Sequence, residues 1–284
     1  MTAAIAVIRP GWDAPAAVGA LSTTRRGGVS GAPYGDGGGG GGLNLGLHVG
    51  DRPDDVLQNR ARLSSLLPLP SRLPESPESL QATGAPGSFP LPAGPAWLTQ
   101  VHGALVIDAS LARGADGGAG LPEADASIAT RPGVACAILT ADCLPVLFCD
   151  TAGRVVGAAH AGWRGLAGGV LENTVAAMRA AGAADILAWL GPAIGPDNFE
   201  VGEDVRQAFA SLGPRALAAF QPFPGRPGKY LADIYALARL RLAAQGVRQI
   251  TGGGRCTVAE AGLFYSYRRD GVTGRMASLV WLEE

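Results

Sequence analysis

The sequence predicts an α+β fold: one domain, residues 1–284, in which helices pack against a mixed β-sheet. Two observations support this prediction. Apolar runs of strand length follow one another through tight turns that contain Gly, Pro or Asp. Segments with apolar residues at helical spacing lie among these runs without strict strand–helix alternation. Apolar residues make up 47% of the 284 positions, which is enough for a large core.

The N-terminal third contains two predicted short strands, residues 3–8 and 17–24, and a predicted helix at 53–67. We interpret the glycine-rich loop at 35–42 as a flexible connection. It matches G-x-G-x-x-G, but it does not lie between a strand and a helix, and no Lys-Ser/Thr follows it. A nucleotide-binding loop is therefore rejected. Residues 68–96 are rich in Pro, Ser and Gly and are predicted to form a flexible insertion.

The middle of the chain is predicted to supply most of the sheet. The predicted segments are a strand or strand pair at 97–109, a short connection at 124–130, a strand–turn–strand unit at 133–150, a strand at 155–159 and a helix at 163–181. The strand–turn–strand unit is apolar up to Leu139, is interrupted at 140–143 and is kept open by Pro145.

The C-terminal third adds a predicted strand at 185–190 and a helix at about 203–212. A second helix is bounded by Asp233 as N-cap and Gly246 as C-cap. The segment FYSYRRDG is predicted either to line a pocket or to lead into the last strand, MASLVWL.

Composition excludes several classes of partner. The formal net charge is -1 and the basic residues are scattered, so neither nucleic acid nor an anionic membrane is an expected partner. No apolar run approaches the roughly 18 residues that a membrane span requires. Four cysteines are too few for a disulfide scaffold, which indicates a reducing cytoplasm.

Three residues at the ends of predicted strands form a candidate metal site: His102, Cys143 and His160. Two imidazoles and one thiolate suit Zn²⁺ with a fourth position open, and Asp142 could orient one imidazole. The gaps of 41 and 17 residues match no compact zinc signature. There are two alternatives to a metal site. The histidines could be structural and hydrogen-bonded, with the thiol in the core, or Cys143 could be a nucleophile activated by histidine.

Arginines and one further histidine complete the candidates. Arg164 follows a strand end and precedes a helix, where it could grip phosphate or carboxylate, or form a surface salt bridge. Arg25 could be a second anion contact or a solvated loop charge. Trp163 could stack on a flat ligand but favours core packing. His48 is interpreted as a surface histidine.

Ten motifs in order resemble one known family. They include TTRRGGVS, LNLGLHVGD, NRARL, LTQVHG, TADCLPVLF, AAHAGWRG and LFYSYRRDGVTGRMASLVWL, and they run from about Thr23 to Leu282. The chain resembles the laccase-domain family, long labelled polyphenol oxidase and now described as purine nucleoside phosphorylases with adenosine deaminase side activity. The resemblance implies a cysteine-hydrolase-like sandwich fold. It also implies a zinc site made by the His of V-H-G, the Cys of A-D-C and the His of A-H-A-G-W.

The resemblance favours phosphorolysis of adenosine- or inosine-type nucleosides, with methylthioadenosine phosphorylase activity as a further possibility. Nucleoside and phosphate are then the small-molecule partners, Zn²⁺ is the cofactor, and Arg25, Asn44, Arg164 and Glu200 are candidate substrate contacts. Cys143, Asp142 and Arg164 are the candidate catalytic residues, with Asp142 or Glu200 moving a proton in any deamination.

Three other functions stay open at this point. Relatives are linked to editing of cell-wall precursors, which would make the chain a hydrolase that uses Cys143 or zinc. A non-enzymatic, zinc-stabilised binding module is the second. A copper-dependent polyphenol oxidase is the third, and it is disfavoured because three histidines cannot ligate a multicopper centre; one copper could still occupy the His₂Cys site.

Overall fold

The structure is a computed structural model that describes residues 4–69, 94–112 and 120–284. The strands are β1 (Val7–Ile8), β2 (Val18–Thr23), β3 (Arg26–Ser30), β4 (Gly94–Ala96), β5 (Val106–Asp108), β6 (Ala126–Ala129), β7 (Val134–Thr140), β8 (Leu144–Asp150), β9 (Val156–Ala161), β10 (Ile186–Leu190), β11 (Glu200–Gly202), β12 (Phe220–Pro222), β13 (Lys229–Ala232), β14 (Gln249–Gly252) and β15 (Met276–Leu282). The α-helices are α1 (Pro53–Ser64), α2 (Trp163–Ala167), α3 (Val170–Ala180), α4 (Glu203–Ala208), α5 (Pro214–Leu217), α6 (Ile234–Ala244) and α7 (Tyr267–Asp270).

Two mixed sheets form the framework, which confirms the predicted α+β class. The first sheet has the order β1-β2-β15-β7-β4, and the second has the order β14-β10-β8-β9-β6-β5. Parallel pairs occur at the edges of both sheets, between β4 and β7, β10 and β14, and β5 and β6. A third, three-stranded sheet has the order β11-β13-β12. The sequence predicted a single mixed sheet, because neither strand length nor periodicity says which runs pair with each other.

The two large sheets pack face to face as a sandwich. Residues of both sheets share one buried cluster, with Cys136, Ile138 and Val280 from the first and Leu147 and Val156 from the second. Every position of β7, β8, β9 and β15 is buried. Strands that are covered on both faces appear in sequence as continuous apolar runs, as these four do.

Further layers cover the outer faces of the sandwich. Leu171 and Val175 of α3 and Leu242 of α6 pack with the second sheet. Leu63 of α1 and the segment around Leu45 pack with the first. Within the described ranges, no helix is long and apolar enough to span a bilayer.

Several predicted elements are confirmed and others are corrected. The strand–turn–strand unit corresponds to β7 and β8, although its turn carries the chain from one sheet to the other. The predicted helix at 163–181 is two helices, because Gly169 adopts φ 93 between α2 and α3. The predicted connection at 124–130 contains β6, whose small residues gave no strong apolar signal. His102 lies in the loop between β4 and β5 and not in a strand.

The glycine-rich loop at 35–42, which the sequence predicted to be a flexible connection, forms a hydrogen-bonded turn with exposed glycines at 37–40. The Asp36 carboxylate accepts hydrogen bonds from the backbone N–H groups of Gly38 and Gly40, both at 2.8 Å. A Cβ at Gly42 would lie 1.8 Å from the carbonyl oxygen of Tyr34. Glycine is required there by close approach of the backbone. Most of the predicted insertion at 68–96 lies outside the described residues.

Candidate metal centre and its cavity

Three side chains that are distant in sequence converge where β7 turns into β8. His102, Cys143 and His160 each offer one ligand atom, and these atoms lie within 4.8 Å of one another. The Sγ atom of Cys143 is 3.8 Å from Nε2 of His102. The two imidazole rings meet edge to face with centroids 4.8 Å apart. We call these residues the His₂Cys cluster; its donor set suits a four-coordinate cation with one position open.

Sheet register explains why the cluster forms. β8 and β9 are antiparallel, and Pro145 pairs with His160. Cys143 directly precedes β8, so it lies next to the His160 imidazole. Gly162 directly follows the end of β9. A Cβ at this position would lie 2.9 Å from Cδ2 of His102 and 3.0 Å from Sγ of Cys143. A side chain at position 162 would therefore occupy the space in which the donors meet.

The Asp125 carboxylate holds both histidines. Its Oδ1 atom lies 2.8 Å from Nδ1 of His160 and accepts the backbone N–H of His102 at 2.9 Å. Its Oδ2 atom accepts the backbone N–H groups of Val101 and Gly103 at 3.2 and 2.6 Å. Because Nδ1 of His160 is engaged, Nε2 is left as the metal donor. This arrangement also fixes His102 at φ 60, a conformation rare outside glycine.

Asp142 was the sequence-predicted orienting carboxylate, and the structure places its oxygen atoms elsewhere. Oδ1 accepts the hydroxyl of Thr257 and Oδ2 accepts the backbone N–H of Arg268, both at 2.6 Å. Asp142 itself has φ 92. It ties the β7–β8 turn to the segments on either side of it, whereas Asp125 contacts the imidazole.

Mutual proximity sets the charges in the cluster. Burial disfavours a thiolate, yet the neighbouring His160 and His102 lower the pKa of Cys143 to about 6. Burial also disfavours a charged imidazole, but Cys143 and Asp125 raise the pKa of His160 to about 9. Burial would raise the pKa of Asp125, and the hydrogen bonds from His160 and Gly103 hold it below its ordinary value. Metal binding at these donors requires loss of the His160 proton.

The cluster opens into a cavity of about 790 Å³. Arg60, Arg275, His48 and Tyr267 line the same cavity. In the described part of the chain, no Asp or Glu side chain lines it. His48 is exposed, as the sequence predicted, but it belongs to this cavity. Partial desolvation of its ring within the cavity, and then the charges of Arg275 and Arg60, lower the pKa of His48.

The predicted anion contacts do not line this cavity. Arg164 is exposed, with its guanidinium 4.4 Å from the centroid of the Trp163 ring. Arg25 is buried, and its guanidinium donates to the carbonyl groups of Gly35 and Ala261. Arg25 therefore holds two loops together and is not a solvated loop charge.

Asn44 and Glu200 do not line the cavity either. The Oδ1 atom of Asn44 accepts the backbone N–H groups of Gly46 and Arg275 at 3.0 and 2.9 Å. Asn44 thus helps to fix the backbone of Arg275, which lines the cavity. Glu200 forms an ion pair with Arg226.

Sequence reasoning missed three residues of the site: Asp125, Arg60 and Arg275. Asp125 stands at the start of a segment taken as a connection. Arg60 left a clear signal, because it occupies the apolar stripe of the predicted helix with Val56 and Leu63, where a charged residue is unusual. Arg275 had no local signal.

The sandwich fold and the His₂Cys cluster define an α+β protein with a candidate metal centre, and comparison with known proteins gives its family. The chain belongs to the multi-copper polyphenol oxidoreductase laccase family, whose model matches residues 19–75 and 87–283. The predicted resemblance is confirmed. The cluster could hold a metal ion.

Relatives match over nearly their whole length. The chain is 50% identical to purine nucleoside phosphorylase YfiH of Escherichia coli over 280 residues, which are 97% of this chain and 98% of that protein. It is 49% identical to a purine nucleoside phosphorylase of Pseudomonas aeruginosa over 277 residues, 98% of both chains. A crystal structure of a Neisseria meningitidis protein, 47% identical, superposes with a TM-score of 0.81 over 98% of this chain and 99% of that one. YlmD of Geobacillus stearothermophilus, 34% identical, gives 0.82 over 100% and 98%.

Proposed function

We propose that this protein is a zinc-dependent purine nucleoside phosphorylase, which converts a purine nucleoside and phosphate into the free base and ribose 1-phosphate. The observation that carries the proposal is a His₂Cys cluster that opens into a cavity lined by cationic side chains. The names of relatives at 49% and 50% identity support it. A cavity of about 790 Å³ is of the size that holds small-molecule ligands.

His102, Cys143 and His160 would hold the zinc ion. Two nitrogen donors and one sulfur donor match the ligands that zinc prefers, and a set of three leaves a position for substrate. When bound, zinc would supply a Lewis acid that neutralises charge on an oxygen of the substrate.

The protein's own residues would position the two substrates. Asp125 fixes the tautomer and direction of the His160 ring. Tyr267, at the cavity and 62% exposed, offers an aromatic face to the purine base. Attack of phosphate on the ribose carbon needs both reactants held together, and the cationic lining would concentrate the phosphate anion there.

The test is incubation of purified, metal-analysed protein with adenosine and with inosine, with and without phosphate, followed by separation of products. The proposal expects free base and ribose 1-phosphate only when phosphate is present. Inosine formed from adenosine without phosphate would show the deaminase side activity. Absence of ribose 1-phosphate from zinc-loaded protein with any purine nucleoside, methylthioadenosine included, would contradict the proposal.

A second candidate is a thiol hydrolase, such as an enzyme that edits cell-wall precursors. One observation favours it: Cys143, His160 and Asp125 form a thiol–imidazole–carboxylate series with a lowered thiol pKa. Removal of metal with a chelator distinguishes the two candidates. Phosphorolysis would stop, whereas thiol-dependent hydrolysis would persist and be blocked by alkylation of Cys143.

We also propose a cytoplasmic location. All four cysteines are free, and Cys136 and Cys149 are buried in the sandwich core. Thiols in this state are typical of a reducing compartment.

A further inference from the structure

We propose that Arg60 and Arg275, with His48 beside them, form the binding site for the phosphate anion in the cavity next to the His₂Cys cluster. We call Arg60 and Arg275 the arginine pair. That the anion is inorganic phosphate rests on the proposed function, because a nucleoside carries no charge for such a site to bind. That the site binds an anion rests on the geometry alone.

Arg60 is a buried cation, and no carboxylate among the described residues forms an ion pair with it. Only 5% of Arg60 is exposed. Its Nε atom donates to the carbonyl of Leu45 at 2.9 Å, and its guanidinium lies 4.2 Å from the centroid of the Trp97 ring. Its Nη1 atom is buried and has no hydrogen-bond partner among the described residues. A buried charged donor without a partner is costly, and Arg60 lines the cavity, so an anion held there would offset its charge.

Arg275 is held in place by groups that leave its charge intact. Its Nη1 atom donates to the carbonyl oxygens of Thr273 and Gly274, both at 3.0 Å. Its aliphatic part packs over Gly46, where a Cβ would lie 2.8 Å from Cγ of Arg275. Asn44 fixes its backbone N–H. No carboxylate forms an ion pair with Arg275 in the described ranges, although Cys143 and Asp142 lie near enough to favour its charged form.

Three cationic or potentially cationic groups thus line one cavity. Burial and the charges of Arg275 and Arg60 hold the pKa of His48 below its ordinary value. Burial lowers the pKa of Arg60 to about 10 and also lowers that of Arg275. An anion in this cavity would offset the positive charges that line it, and guanidinium groups bind phosphate through paired N–H donors.

The experiment compares the Michaelis constants for phosphate and nucleoside in Arg275→Gln, Arg60→Gln and Arg60→Lys, together with calorimetric binding of inorganic phosphate. Arg248→Gln is the matched control, since Arg248 is exposed between α6 and β14. We expect loss of either charge to raise the KM for phosphate by about 10- to 100-fold, with the nucleoside KM changed less than about threefold. The phosphate KM of Arg60→Lys should lie between those of Arg60→Gln and the wild type. Lysine keeps the positive charge but lacks the paired N–H donors of the guanidinium.

Two outcomes would overturn the inference. One is an unchanged phosphate KM in Arg275→Gln and Arg60→Lys, particularly if Arg164→Gln raises it. The other is an equal rise in both Michaelis constants, which would mean that the arginines only shape the cavity. If Arg60→Gln fails to fold in a thermal unfolding scan, Arg275→Gln and Arg60→Lys decide the matter.

Failure of the proposed function is a separate result. Wild-type protein that makes no ribose 1-phosphate yet binds phosphate in the calorimeter, and loses that binding in Arg275→Gln, would retain the anion site and reject the phosphorylase. Wild-type protein that binds no phosphate would reject the anion site even if nucleosides turn over.

Discussion

The His₂Cys cluster and the arginine pair line the same cavity, but they are held in different ways. A buried carboxylate, Asp125, engages the imidazole of His160 and three backbone N–H groups in the loop that carries His102. The arginine pair is held by backbone carbonyl groups, an aromatic ring and the amide of Asn44. In the described ranges, no ion pair with a carboxylate neutralises either arginine. The difference agrees with the two proposals, a cation site at the cluster and an anion site at the arginine pair.

The largest expected effect comes from removing a donor of the cluster. His160→Ala should reduce the bound metal to background and phosphorolysis at least about 100-fold, because two donors do not retain zinc. Calorimetric affinity for inorganic phosphate should fall less than about threefold, because the arginine pair is untouched. Metal analysis and thermal unfolding check the result, with a loss of only a few degrees in Tm expected. Metal retained at full stoichiometry would defeat the assignment of His160.

A smaller effect is expected when the support of the cluster is weakened. Asp125→Asn keeps the shape of the side chain but loses the charge that holds the His160 proton. We expect metal affinity, measured by chelator competition, to fall about 10- to 100-fold. Asp108→Asn is the matched control, since Asp108 is exposed and caps a single turn at Ser110. Equal affinities in the two variants would contradict the role given to Asp125.

The smallest effect is expected at the support of the arginine pair. Asn44→Ala should raise the phosphate KM about three- to tenfold, because the loss of one or two hydrogen bonds loosens Arg275 without removing its charge. Metal content should not change. In an Arg275→Gln background the same substitution should add little, since both changes act through one side chain. Additive effects in this double-mutant cycle would show that Asn44 acts by another route.

The sequence predicted the cluster much better than the rest of the cavity, and the reason is chemical. The chain has three histidines, so two of them at the ends of predicted strands, with a cysteine at the end of a third, are conspicuous. Arginines and aspartates are common, and their roles here depend on contacts between distant segments. Asn44 meets Arg275 across 231 positions, and Asp125 meets His160 across 35. Periodicity predicts which face of an element is buried, but it does not predict which buried faces meet.

The strand predictions show the same limit. β7, β8 and β15 were recognisable because they are covered on both faces and almost entirely apolar. β6 was missed because alanine and serine, packed against neighbours at close range, carry little apolar signal. Arg164 followed a pattern typical of anion sites, yet in the structure its side chain stacks on Trp163 at the surface. A helix N-terminus is a place where an anion could bind. Its presence in a sequence does not show whether the cavity opens there.

β15 follows all the other strands in sequence, yet it lies between β2 and β7 in the middle of the first sheet. During synthesis, a chain that still lacks Met276–Leu282 leaves those two neighbours with unpaired edges on the ribosome. Assembly of the sandwich must therefore wait for contacts between segments more than a hundred residues apart, a topology associated with slow folding. Until then, unpaired strand edges are available to other chains, and such edges favour aggregation of an unfinished chain.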